Sequence, residues 1–219
     1  MLAAQNKRLR GVSPAGSLKK KWRFHMRGLF GGVLLAPVLL IVLFSEPHFV
    51  EGTVADTLID SGAWFLFIIG LTFRFWATIY VGGRKRYTLV CEGPYSICRN
   101  PLYVGSLLLT LSAGLYLDSL TFMIVVGLVM IAYVKVTVPA EEEDLREIHG
   151  QSYVDYCARV PRFWPRFSLY RSPPSFEVML HGLRIEAKRS LFWICLPIIG
   201  ELATHLRGES WWPHLFRLP

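Results

Sequence analysis

Charge is what this sequence has least of. Of its 219 residues only 18% are charged, against roughly 25% in an ordinary soluble domain, and 53% are hydrophobic. Cysteine is sparse as well. Cys91, Cys98, Cys157 and Cys195 form no CxxC pair, and the six histidines never fall as HxxxH. A zinc framework and a disulfide-stapled secreted module are therefore excluded, and the cysteines read as small packing side chains. There is no GxGxxG, no phosphate-cradling loop, no nucleophile motif, no internal repeat and no low-complexity stretch. Dinucleotide folds, phosphate-loop enzymes and repeat scaffolds lose their support.

What is present is length without charge. Residues 29–44 carry none, and at ~1.5 Å per residue they reach most of a ~30 Å hydrocarbon core. Further apolar runs cover 58–81 (with Asp60 and Arg74 inside), 101–117, 120–138 and 190–206. Only Asp118-Ser119 separates the third from the fourth, which demands a tight antiparallel helical hairpin. The last run contains Glu201 and His205, spaced to pair with each other, and it either spans or lies in the interface. The chain is thus expected to be all-α: a polytopic membrane protein of about five transmembrane helices, with amphipathic helices in the cytoplasm.

Orientation follows from the basic residues. Lys7, Arg8, Arg10, Lys19, Lys20, Lys21, Arg23 and Arg27 precede the first apolar run. No small-x-small cleavage pattern follows that run, so it reads as a signal anchor. Residues 45–57 and 118–119 hold no Lys or Arg, whereas 82–100 and 139–189 hold many. The alternation predicts a cytoplasmic N-terminus. Arg74 and Lys135 then fall near cytoplasmic ends, where their long side chains can snorkel. The net charge of +8 suits an anionic membrane face. Nucleic acid is excluded as a partner, because only Trp22 and Phe24 interleave the basic tail.

Both long polar segments fall on one face of the membrane. In the first, Gly93-Pro94 marks a turn, and Asn100-Pro101 is a good helix start with Asn as the cap. Arg99 at a helix N-terminus makes a competent carboxylate or phosphate site, or simply a contact to lipid phosphates. In the second, four acids from Glu141 follow Pro139, as suits the positive end of a helix. Glu141 and Glu142 also lie at the lipid boundary, where ionised groups have partners or tasks. Leu145, His149, Tyr153, Tyr156 and Val160 recur at helical spacing as one face, the usual mark of packing. Arginines, glutamates and tyrosines without a metal set suit a sulfonium cofactor. S-adenosylmethionine offers a carboxylate to Arg, an ammonium to Glu and a positive sulfur to aromatic faces.

At GPY (93–95), RNPLYVG (99–105), EExxL (141–145), GxxYxxY (150–156) and VPR (160–162) the sequence resembles the isoprenylcysteine carboxyl methyltransferase family and its phospholipid methyltransferase relatives. The resemblance covers about residues 87–166. It implies S-adenosylmethionine enclosed between the hairpin and the helix after it, with a lipophilic substrate arriving from the bilayer. Carried over by position, Val90, Gly93, Tyr95, Arg99, Asn100, Tyr103 and Gly105 line the cofactor pocket, and Glu141, Glu142, Tyr153 and Tyr156 close it. Glu142, Arg159 and Arg162 are the catalytic candidates, with Arg159 or Arg162 steering an anionic substrate group. No metal is implied. The family often has His where this chain has Asn100, and Asn cannot serve as a base near neutral pH.

The domain reading is a basic cytoplasmic tail (1–28), two N-terminal spans (29–81), a methyltransferase-like region with the hairpin (82–170), and a cytoplasmic amphipathic helix with the last span (171–219). Two other readings compete: an NADPH-dependent enzyme like the membrane sterol reductases, and a non-enzymatic scaffold that binds anionic lipid. The methyl acceptor and the oligomeric state are not legible.

Overall fold

A computed structural model describes residues 37–46, 52–82, 88–176, 178 and 180–216. The basic tail, most of the first apolar run and the cluster Arg84, Lys85 and Arg86 lie outside them. The chain divides at residue 40. Of the first unit residues 37–40 are described, and they are helical; the account below concerns residues 41–216.

The described residues contain helices and no strand. The helices are α1 (Val54–Val81), α2 (Pro94–Ile97), α3 (Pro101–Tyr116), α4 (Leu120–His149), α5 (Gln151–Arg159) and α6 (Leu180–Gly208), with a single 3-10 turn at Phe167–Leu169. Helices α1 and α4 are long and apolar enough to cross a membrane, and α3 is a shorter apolar helix. Large apolar side chains stay exposed along α4 (Leu120, Ile124, Leu128, Ile131) and α6 (Leu191, Ile194, Ile198, Leu202). In water such faces would carry a heavy penalty; against lipid they cost nothing.

Helices α1 and α3 run antiparallel and nearly touch. A Cβ on Gly70 would come within 2.9 Å of the Gly105 carbonyl oxygen, and one on Gly105 within 2.8 Å of the Gly70 oxygen. Small residues at a crossing let backbones approach where lipid supplies no hydrophobic drive. Ser119 caps α4 through its side chain, accepting from the Phe122 amide at 3.3 Å. The expected hairpin therefore forms, with Asp118 taking a positive φ of 44° in its turn.

Four expectations change. Pro139 does not start a helix: α4 runs through it to His149, so the acids lie in a helix interior. Proline removes one hydrogen bond but does not end a helix that packing holds on both sides. The stripe from Leu145 to Val160 is broken at Gly150, where φ 57° and ψ −131° separate α4 from α5; glycine reaches that conformation without a Cβ clash. The basic amphipathic stretch and the last apolar run join, from Leu180, in one helix, α6, since no breaker lies between Arg189 and Ser190. Arg74 does not snorkel. It is 8% exposed and donates from Nε and Nη2 to both carboxylate oxygens of Glu186, at 2.6 and 3.0 Å.

The other end of α6 is anchored as firmly. Arg207, 1% exposed, donates to the carbonyls of Ser45, Glu46 and Leu117. Its guanidinium ties the C-terminus of α3 to residues 45 and 46. Trp212 adds a bond to the Leu43 carbonyl at 2.8 Å.

Candidate active site

Two segments distant in sequence zip together beside the N-terminus of α3. The Gly93 amide donates to the Arg171 carbonyl at 2.7 Å, Arg99 to Pro161 at 2.8 Å, and Arg166 to Ile97 at 3.0 Å. The Arg171 amide donates to Ser96 Oγ at 3.0 Å, and the Tyr156 hydroxyl to the Tyr95 carbonyl at 2.7 Å. Each bond satisfies a backbone group that no helix serves. Gly93 makes the turn possible, because its φ is 57° and a Cβ there would enter the Tyr80 ring.

Between these segments and α4 lies a narrow, partly open cleft, lined among others by Val90, Tyr95, Arg99, Asn100, Glu141, Glu142, Tyr153 and Tyr156. Because α4 continues past Pro139, its last turns carry Glu141 and Glu142 into the cleft. Gly150 then folds α5 back so that Tyr153, Tyr156 and Val160 pack with Leu89, Cys91 and Leu145.

Glu142 is the hub. Arg162 grips it with Nε 3.1 Å from both carboxylate oxygens, and with Nη2 on Oε2. Arg99 Nη1 lies 3.7 Å away, and the Asn100 amide donates to it at 3.4 Å. A bidentate arginine on a nearly buried carboxylate fixes orientation as well as charge. Asn100 is thus not the side-chain cap expected of it: that amide serves Glu142 and the Arg162 carbonyl instead. Glu141 accepts from the Tyr103 hydroxyl at 3.2 Å.

The remaining candidates fall elsewhere. Tyr103 reaches the site through Glu141 without lining the cleft. Gly105 sits in the α1–α3 crossing and Gly93 under the Tyr80 ring, so both shape the backbone around the site. Arg159 is exposed and donates from Nε to the Asp155 carbonyl of its own helix at 3.2 Å. Arg162 is committed to Glu142. What the sequence reading missed is Arg166 and Arg171, whose backbones close the site, and the Arg74–Glu186 pair. Backbone contacts leave no side-chain signature, and no helical spacing links two residues on different helices.

Burial sets the proton states. The Tyr153 and Tyr156 phenols are pushed above their ordinary range by desolvation, Tyr153 then by Glu142 and Tyr156 by Cys91. The Cys98 thiol is pushed up to about 12, again by burial. The hydrogen bond to Glu142 holds Arg162 firmly protonated, above its ordinary range. None of these groups can take a proton near neutral pH. One donor is left over: Arg99 Nε is buried and has no hydrogen-bond partner among the described residues.

The phospholipid methyltransferase family model matches residues 50–152 of this chain, from the start of α1 to the start of α5. The chain belongs to that family of membrane proteins. Over nearly its whole length it is similar to the nickel-cobalt-cadmium resistance protein NccN of Alcaligenes xylosoxydans xylosoxydans, 30% identical over 191 residues, covering 85% of this chain and 87% of that protein. The cobalt-zinc-cadmium resistance protein CzcN of Cupriavidus metallidurans is likewise 30% identical, over 190 residues, 86% of this chain and 87% of its own. Protein-S-isoprenylcysteine O-methyltransferase B of Arabidopsis thaliana is 31% identical over 83 residues, 38% of this chain and 42% of that one. No solved structure matches.

Proposed function

We propose that this chain is a multi-pass membrane methyltransferase that binds S-adenosylmethionine in the cleft and methylates a lipophilic acceptor. The observation that carries the reading is the spare Arg99 donor, buried beside Glu141, Glu142 and three tyrosines at the end of an apolar bundle. An arginine with an unused N–H in a half-enclosed cleft wants an anionic oxygen. The cofactor's α-carboxylate is such a group.

Glu141 is placed to take the α-ammonium, and the faces of Tyr95, Tyr153 and Tyr156 to hold positive charge. When bound, the cofactor supplies an electrophilic methyl on a positive sulfur. Glu142 and Arg162 act as a clamp that keeps Arg99 and Asn100 in position. With Cys98 and the cleft phenols held protonated, Asn100 no base and Glu142 committed to Arg162, the acceptor arrives already nucleophilic in this reading, as a carboxylate, thiolate or amine. Rate then comes from orientation and exclusion of water. The distribution of Lys and Arg puts the cleft and the N-terminus on the cytoplasmic side in this reading.

The test is to incubate membranes containing the protein with methyl-labelled cofactor and follow the label into protein, lipid or a volatile product. Incorporation that disappears in folded Arg99→Ala and Glu142→Gln variants supports the reading. Incorporation at the background level of membranes without the protein sinks it.

A further inference from the structure

The end of the bundle away from the cleft carries a second, small concavity where the start of α1, the α3–α4 turn and the end of α6 meet. Asp56, Asp60, Asp118 and Glu201 contribute carboxylates to its lining. The Tyr116 side chain also belongs to that lining, although the residue is only 2% exposed. Its hydroxyl has no hydrogen-bond partner among the described residues, and the charges of Asp60 and Glu201 act on it. A buried phenol left unpaired costs free energy, unless a ligand takes it up.

Next to this concavity, and sharing Asp60 and Glu201 with it, is an apolar groove of about 880 Å³ along α1 and α6, walled by Trp64, Ile198 and Leu202. Trp64 stacks edge-on against Tyr116 at 5.7 Å, so the groove wall and the spare phenol are continuous. Arg207, the buried cation near the end of α6, is already engaged with three carbonyls.

We propose that this end binds a membrane amphiphile whose head is a net-positive ammonium and whose apolar body lies in the Trp64–Leu202 groove. The head donates N–H bonds to Asp60, Glu201 and the Tyr116 oxygen, and Trp64 offers a ring face to its charge. Negative lining opposes any head that also carries a phosphate. A metal ion fits less well: among the described residues no three His, Cys, Asp or Glu side chains converge to hold one. The site is independent of the methyltransferase reading.

The test uses the full-length protein in a nonionic detergent, titrated with dodecylamine and followed by thermal stability. Saturable stabilisation is expected, with butylamine and dodecyl sulfate inert. Glu201→Gln and Asp60→Asn should each weaken dodecylamine by about tenfold or more, the usual loss of a charged hydrogen bond. Glu201 is exposed, so its variant is expected to fold, and its unfolding temperature without ligand should match that of the parent. Absence of stabilisation in folded protein overturns the proposal. So does equal affinity for butylamine, unchanged affinity in Glu201→Gln, or stabilisation by zinc chloride alone.

Discussion

Replacing Glu186 by Gln leaves the charge of Arg74 buried without a counter-charge. The carboxylate is 2% exposed and the arginine 8%, so water cannot take over. Arg74 keeps two partners, the Ser106 hydroxyl and the face of Trp193 at 5.9 Å. Breaking a buried pair by removing one member costs about 3–5 kcal/mol, and the retained partners set the expectation near the lower end, about 3 kcal/mol. Arg189, 3.7 Å from Glu186 but half exposed, adds little. Converting both members, Arg74→Met with Glu186→Leu, removes the desolvation cost together with the attraction and should return stability to within about 1 kcal/mol of the parent. The assay is unfolding in mixed micelles of rising sodium dodecyl sulfate fraction, followed by tryptophan fluorescence, with all four corners of the cycle measured. A Glu186→Gln variant as stable as the parent would refute the reasoning. A double variant as unstable as the single one would do the same.

Three further outcomes are expected. Gly93→Ala should destabilise by about 1–3 kcal/mol, since its Cβ meets the Tyr80 ring at a positive φ; thermal unfolding measures it. Tyr156→Phe leaves the buried Tyr95 carbonyl without its donor and should cost about 1–2 kcal/mol, with weaker cofactor binding as the cleft loosens. Cys98, raised from 9.0 to about 12 by burial, keeps its proton in the folded state after the unfolded thiol has lost it. Its contribution is complete below about pH 9 and is lost as pH rises toward 12. Stability should fall across that window in the parent and less steeply in Cys98→Ala, with iodoacetamide leaving Cys98 unmodified at pH 8 until the protein unfolds.

The hairpin was legible in the sequence because its signals are local: Pro101 at a first helical position, and only two polar residues, Asp118 and Ser119, between apolar runs. The meeting of the two polar segments was legible only as motif order, and the bonds from Arg99 to Pro161 and from Gly93 to Arg171 explain why they meet. Misreadings arose where packing overrides a local rule. Pro139 looks like a boundary and is not one, while Gly150 looks like part of a helical stripe and interrupts it. Arg74 near a span end suggests snorkelling, and nothing local to it reveals Glu186 on another helix. Asn100 illustrates the same limit, since a good cap residue was drawn away by Glu142.

The most direct measurement is calorimetric titration of the purified, demonstrably folded protein with S-adenosylhomocysteine. A saturable heat of one ligand per chain, weakened about tenfold or more in Arg99→Ala, is the expected result. A folded parent protein that gives no heat, or an Arg99→Ala variant that binds as tightly as the parent, would contradict the account.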